Sequence, residues 1–90
     1  MVDFFLNDKF SVLDCMAQRQ IAIGNGYVIK LSQQEIAEIL GFTKTKVNTI
    51  IKELKQYGYV IQVNERGKYA LTEKANTEIK KMRDNEEKVL

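Results

Sequence analysis

The sequence predicts an α+β fold, mainly α, with a short three-stranded β element and a helix at each end. Three observations support this class: helical apolar spacing recurs in four segments, glycines separate several of them, and two β-rich runs enclose a turn. The chain has 90 residues without a Pro-rich or Ser-rich linker, so one domain over residues 1–90 is expected. With no histidine and one cysteine, no intrachain disulfide can form, and neither a metal nor another cofactor is expected.

The first helix is predicted from about Asn7 to Gln20. Its apolar stripe comprises Leu6, Phe10, Leu13 and Ala17. Cys15 is expected opposite that stripe, and with Arg19 as its single basic neighbour within a turn it is not expected to be a redox sensor. Residues 24–26, Gly-Asn-Gly, then break the chain, and the β-branched and aromatic residues 27–31 predict a short strand.

Two short helices joined by a glycine turn are predicted within residues 32–57. Ser32 and Glu35 form a capping box that opens the first helix, and Gly41 ends it. Thr43 is placed to cap the second helix. The apolar stripe of that helix has i, i+3, i+4, i+7 spacing and consists of Val47, Ile50, Ile51 and Leu54.

A hairpin and a final helix complete the chain. Residues 59–63 and 68–71 predict two strands, and the intervening residues 64–67 predict a turn with a glycine. Thr72 is placed to cap the final helix, predicted from Glu73 to about Lys88. The apolar seam of that helix is thin: Ala75, Ile79, Met82 and Val89.

The segment LSQQEIAEILGFTKTKVNTIIKELKQYGYV, followed by the hairpin and ALTEKA, resembles the winged helix-turn-helix domains of bacterial regulators. It is closest in style to the MarR, ArsR and cyclic-AMP-receptor types, and the resemblance covers about Tyr27 to Ala75. In such families the helix after the glycine turn reads the major groove of double-stranded DNA. The hairpin, or wing (about residues 59–71), touches the neighbouring minor groove or backbone. The resemblance therefore implies a DNA-binding regulator.

The expected DNA contacts are polar and basic residues of the helix-turn-helix and wing. By resemblance, Lys44, Thr45 and Thr49 meet base edges, and an asparagine such as Asn48 can pair with adenine. Arg66 at the wing tip is the expected minor-groove probe. The phosphate contacts are expected from donors near helix N-termini, namely Ser32, Gln33, Thr43 and Lys46. Further contacts are expected from Lys52 on the helix and from the wing residues Asn64, Lys68 and Tyr69.

Positive charge is concentrated in the same region. The net charge of the chain is only +2. Residues 44–69 nevertheless hold six Lys or Arg against two Glu, an excess of four, whereas residues 1–43 have a deficit of two and residues 70–90 balance. This distribution favours a nucleic-acid partner for the second helix and the wing.

Three functions remain open at this point. The first is a small transcriptional regulator that prefers particular DNA sequences. The second is an accessory protein of a plasmid or mobile element, for partition (as in the TubR type), replication or conjugative transfer. The third is a winged helix that docks a protein instead of DNA. An enzyme is not expected, since no histidine and no nucleophile–base pair is present.

The expected assembly is a homodimer formed by the first and last helices. The thin seam of the last helix and the apolar start of the chain (Val2, Phe4, Phe5 and Leu6) suggest a surface that a second copy would cover. A partner protein on the same DNA is possible. No apolar run approaches the ~18 residues of a membrane span, so a cytoplasmic protein with no membrane contact is expected.

Overall fold

The computed structural model describes residues 8–24, 26–63 and 68–89. Within these residues, four helices and four strands follow one another along the chain. They are α1 (Asp8–Gln18), β1 (Gln20–Ile23), β2 (Gly26–Ile29), α2 (Gln33–Leu40), α3 (Lys44–Gln56), β3 (Val60–Gln62), β4 (Tyr69–Leu71) and α4 (Glu73–Val89). The mainly helical α+β class is confirmed.

The helix-turn-helix forms where local sequence signals predict it. The Ser32 hydroxyl accepts a 3.1 Å hydrogen bond from the Glu35 amide, and the Glu35 carboxylate accepts one of 3.0 Å from the Ser32 amide. Gly41 ends α2 in the left-handed conformation, with φ of 72°. Thr43 then caps α3, because its hydroxyl accepts a 3.0 Å bond from the Lys46 amide. The relative placement of the two helices is therefore defined at both sides of a three-residue turn.

The sheet has four antiparallel strands in the order β1-β2-β4-β3, not the three that the sequence predicted. The additional strand is β1: α1 ends at Gln18, and Gln20 pairs with Ile29 across the β1–β2 hairpin. Gly24 provides the positive φ, 58°, that the hairpin turn uses. Ile21 and Ile23 are β-branched and come directly before a glycine turn, which favours a strand over a further turn of helix.

One hydrophobic core lies between the helices and one face of the sheet. α1 contributes four buried residues, namely Val12, Leu13, Cys15 and Met16. Cys15, on the side of α1 opposite the predicted stripe, is also buried, because α1 contacts α2, α3 and α4. Burial raises the pKa of the Cys15 thiol; the nearby Arg19 charge lowers it and Asp14 raises it, but desolvation is the largest cause.

The last helix packs the described part of its apolar seam against its own domain, and the side chain of Val89 lies outside the part that the structure describes. Ala75 and Ile79 are buried in the core, and Met82 packs against it. The described parts of α1 and α4 therefore leave little apolar surface for a second copy, which removes the observation that favoured a helix-mediated dimer. Val2, Phe4, Phe5 and Leu6 lie outside the described residues, and the dimer itself stays a prediction.

Candidate nucleic-acid interface

α3 separates an apolar face from a polar one. The stripe Val47, Ile50, Ile51 and Leu54 is buried, as its spacing predicts. On the opposite side Lys44, Thr45, Thr49 and Lys52 are exposed. Four of the residues expected to contact DNA thus share one solvent-facing surface, which we call the α3 face.

The lysines of the α3 face carry charge that the domain does not neutralise. Among the described residues, neither the Lys44 nor the Lys52 ammonium has an ion-pair or hydrogen-bond partner. The Thr49 hydroxyl donates back to the Thr45 carbonyl at 3.1 Å and keeps its acceptor lone pairs, and both threonines are exposed. The α3 face therefore presents two cations and two small amphipathic side chains.

Lys46 is engaged within the protein. Its ammonium forms a salt bridge with the Asp8 carboxylate of α1 and lies 4.4 Å from the centre of the Phe42 ring. The sequence predicted Lys46 as a phosphate ligand, and the structure places a carboxylate on it. Sequence reasoning missed Asp8 in this role, since only the tertiary fold brings the start of α1 to the start of α3.

Three predicted site residues are linked to one another by hydrogen bonds. Asn48 Nδ2 donates to Gln33 Oε1 at 3.0 Å, and Gln33 Nε2 donates to the Tyr69 hydroxyl oxygen at 3.2 Å. This chain, the Asn48–Gln33–Tyr69 relay, joins α3, the first turn of α2 and strand β4. The structure brings these three residues together and uses their polar groups to connect the wing to the helices.

Tyr69 was expected on the flank of the wing as a surface contact. It is 4% exposed, and its ring belongs to the core. Tyr69 pairs with Ile29 in the sheet, and both side chains point to the face that the helices cover. The pairing with Ile29 therefore places Tyr69 inside, and its hydroxyl accepts the hydrogen bond from Gln33.

The base of the wing is attached to α3. Lys55 Nζ donates to Gln62 Oε1 at 2.9 Å, and the Val63 amide donates to the Lys68 carbonyl at 2.8 Å. Lys68 is half-buried. Asn64 and Arg66, the predicted tip contacts, lie outside the described residues.

The N-terminal turn of α2 lies next to the α3 face. Ser32 is exposed and Gln33 is half-buried, and the Asn48–Gln33 bond fixes the distance between the two helices at this point. The Ser32 and Thr43 hydroxyls both accept capping bonds, so each retains its own hydrogen as a donor. The two hydroxyls are exposed donors at the starts of α2 and α3.

Two glycine-bounded helices, a capped turn between them and a β hairpin after them define a winged helix-turn-helix domain. The Crp-like helix-turn-helix domain matches residues 11–76, nearly three quarters of the sequence. The chain belongs to this family of DNA-binding domains. Of the types that the sequence resembled, the cyclic-AMP-receptor type is the one shown, and the comparisons do not single out MarR, ArsR or TubR.

Solved structures share the fold at low sequence identity. One is a CRP/FNR-family transcriptional regulator from Thermus thermophilus, with 19% identity and a TM-score of 0.65 over 87% of this chain and 39% of that one. Another is the CO-dependent transcription factor CooA from Carboxydothermus hydrogenoformans in its imidazole-bound form. It has 22% identity and a TM-score of 0.59 over 74% of this chain and 33% of that one. This chain therefore spans a third to two fifths of their length.

No curated protein matches the sequence. Among the described residues, no helix is both long and apolar enough to span a membrane. Within the same residues, no three or more carboxylate or cysteine side chains gather into a group that could hold a metal ion.

Proposed function

We propose that this chain binds double-stranded DNA with a preference for particular sequences, with α3 in the major groove. The observation that carries the proposal is the α3 face, where Lys44 and Lys52 have no protein partner among the described residues. A lysine can donate to guanine O6 and N7, and a threonine methyl can contact the methyl group of thymine. The exposed N-terminal part of α3 therefore carries groups that distinguish base pairs.

Backbone contacts would orient α3 in the groove. Ser32 and Thr43 present hydroxyl donors at the starts of α2 and α3, where the helix dipoles also favour a phosphate. The wing would contact the adjacent minor groove or backbone through Arg66, Asn64 and Lys68. Contacts of this kind fix the position of the protein on the duplex without selecting a sequence.

Transcriptional regulation is the biological role that the comparisons favour. Both solved relatives carry that description, and the matched family supplies the DNA-binding part of such proteins. We propose that the chain acts as a small regulator, or as the DNA-binding part of one. Its target sequences would test the role: a palindrome at a promoter supports regulation, whereas arrays of direct repeats support a plasmid or mobile-element function.

The central experiment measures duplex binding by fluorescence anisotropy at several salt concentrations, after selection of bound sequences from a random pool. Lys44→Ala and Lys52→Ala should each weaken binding, and a lost phosphate contact reduces the log–log salt slope by about 1. Lys80→Ala is the matched control, because Lys80 is exposed on α4, away from the α3 face. It should leave both affinity and slope unchanged.

Two results would contradict the proposal. No binding to any duplex at low salt would favour a domain that docks protein instead. Equal loss of affinity in Lys44→Ala and Lys80→Ala would mean that only the general charge of the domain matters. If Lys44 contacts a base edge, as proposed, Lys44→Ala also changes the sequence preference, whereas the loss of a phosphate contact alone leaves that preference unchanged.

A further inference from the structure

The sheet has an outer face, directed away from the core, that is largely apolar. Ile21 pairs with Val28 and Ile61 pairs with Ala70. Because Ile29 faces Tyr69 in the antiparallel β2–β4 pair, Val28 comes opposite Ala70. One cross-strand row therefore runs Ile21–Val28–Ala70–Ile61 over all four strands. Its end members Ile21 and Ile61 are 45% and 53% exposed, and Val28 and Ala70 between them are half-buried.

The β1–β2 hairpin projects beyond the core and is exposed on both faces. On the outer face, Ile23 is 48% exposed; on the inner face, Ala22 pairs with Tyr27, which is 62% exposed. A two-stranded hairpin without packing on either side is marginally stable in water. The exposed apolar residues of the hairpin are therefore better explained if a further strand packs beside it than if the domain stands alone.

β1 is an edge strand without the features that usually protect an edge. Its residues Gln20–Ile23 include no charge and no proline, and among the described strands only β2 pairs with it. The opposite edge differs, because the charged Lys55 side chain reaches Gln62 on β3 at 2.9 Å. The free backbone groups of β1 are thus open to another strand.

We propose that β1 pairs in antiparallel fashion with β1 of a second copy of this chain. A two-fold register centred on Ala22 places Ile21 opposite the second copy's Ile23, and Ala22 opposite its own equivalent. This register keeps the isoleucines of both copies on one outer face, and it joins the two sheets into a single sheet of eight described strands. The two projecting hairpins then form a four-stranded unit, the size at which a sheet becomes stable.

The absence of charge on β1 favours a second copy of this chain as its partner. No charged residue lies on β1, so pairing two copies opposes no like charges within the strands. The nearest cation, Arg19, lies three residues from the centre of symmetry. At about 3.3 Å per residue, the two copies of Arg19 are ~20 Å apart, beyond the screening length at physiological salt. A charged partner would gain no ion pair from β1, whereas an identical strand offers matched apolar side chains and backbone groups.

The apolar residues of the helices agree with this assignment. The described apolar residues of α1 and α4 are buried or partly buried in their own domain. Of the large exposed hydrophobic residues, Ile39 lies on α2 and Tyr57 follows α3, whereas Ile21, Ile23, Tyr27 and Ile61 all lie on strands of the sheet. The proposal does not depend on DNA binding, and it can be tested without DNA.

Sedimentation velocity of the full chain over about 1 to 100 μM tests the association. The wild type should shift from monomer to dimer as the concentration rises. The double variant Ile21→Lys/Ile23→Lys should weaken dimerisation by at least about tenfold, because it places cations beside each other across the two-fold axis. Ile61→Lys is the matched control at the far end of the same row and should leave the dimer intact. A wild type that stays monomeric throughout overturns the proposal, as does equal loss in both variants.

Disulfide trapping tests the register even if the lysine variants unfold. In a Cys15→Ser background, Ala22→Cys places one thiol directly opposite its equivalent, with Cβ atoms about 4.5–5.5 Å apart, at the upper end of what a disulfide accepts. Rapid formation of a covalent dimer under mild oxidation is expected for Ala22→Cys, and not for Ile61→Cys in the same background. Equal crosslinking at both positions, or none at position 22, overturns the assigned pairing.

Discussion

Asn48 of α3 donates a 3.0 Å hydrogen bond to the side-chain oxygen of Gln33 in the first turn of α2. Gln33 in turn donates to Tyr69 of β4 at 3.2 Å. Because Nδ2 of Asn48 is directed at Gln33, the side chain is oriented before any DNA arrives. The recognition helix, the preceding helix and the wing are thus connected through one glutamine.

Removing that glutamine should destabilise the domain. Gln33→Ala leaves the Asn48 amide and the Tyr69 hydroxyl without their shared partner, at a cost of about 1–2 kcal/mol in the free energy of unfolding. Urea denaturation measures the change. Gln34→Ala is the control, because Gln34 is the exposed neighbour on α2 and should change stability by less than about 0.5 kcal/mol. Equal stability of the two variants would show that the relay contributes nothing.

The Asp8–Lys46 salt bridge should oppose DNA binding. Asp8→Asn removes the carboxylate and frees Lys46 for a phosphate, so affinity for duplex DNA should rise about two- to threefold at low salt. The log–log salt slope should become steeper in the same anisotropy titrations. Asp14→Asn is the control, because Asp14 pairs with Arg83 instead. A weaker complex with Asp8→Asn would mean that the carboxylate positions Lys46 for DNA.

Position 41 needs a glycine because of its backbone conformation, and not because a side chain would lack space. A Cβ at this position meets nothing within 4 Å, but φ is +72°. We therefore expect Gly41→Ala to lower the free energy of unfolding by about 1–2 kcal/mol, the cost of a left-handed non-glycine residue. Gly26→Ala is the matched control, since Gly26 also has open space but no positive φ. Thermal and urea unfolding of both variants should separate the two glycines.

Cys15 should be unreactive in the folded protein. It is 4% exposed and burial raises the pKa of its thiol, so little thiolate forms near neutral pH. Modification by a thiol reagent should be about a hundredfold slower in buffer than in urea. Equal rates would contradict the burial.

The same thiol should affect stability at high pH. The pKa of the Cys15 thiol is higher in the folded chain than the value of about 8.5–9 in the unfolded chain. The buried neutral thiol therefore stabilises the fold fully below that pH, and this contribution declines as the pH rises above it. The stability difference between wild type and Cys15→Ala should therefore shrink as the pH rises beyond about 9. A difference that stays constant from neutral pH upward would contradict the raised pKa.

Local signals account for the parts of the fold that the sequence predicted. Ser32, Gly41 and Thr43 act through backbone bonds within four residues, so their roles are encoded in adjacent positions. The hairpin at residues 20–29 is predicted only in part. The sequence predicts its Gly-Asn-Gly turn and the strand after it, but not the strand over residues 20–23 before it. The signal for β1 is the pair of β-branched residues Ile21 and Ile23 directly before the glycine turn, matched by Val28 and Ile29 after it.

The sequence predicts which residues of α3 are exposed in the candidate site, but not the contacts that its side chains make with other elements. The spacing of the apolar stripe was enough to expose Lys44 and Thr45. The partner of Lys46 and the burial of Tyr69 depend on contacts between residues more than thirty positions apart, which no local pattern contains. Which polar groups face solvent is therefore decided by tertiary packing.

The pairing of Ile29 with Tyr69 has a consequence for the order of folding. It closes the sheet between residues forty positions apart, whereas α2, the Gly41 turn and α3 are contiguous in the chain. Loops that long are closed late, because chain entropy opposes them until other contacts have formed. We expect the helix-turn-helix to assemble first and the wing to join last. The wing would then be the first part to separate when the domain opens, and hydrogen exchange at β4 would be faster than at α3.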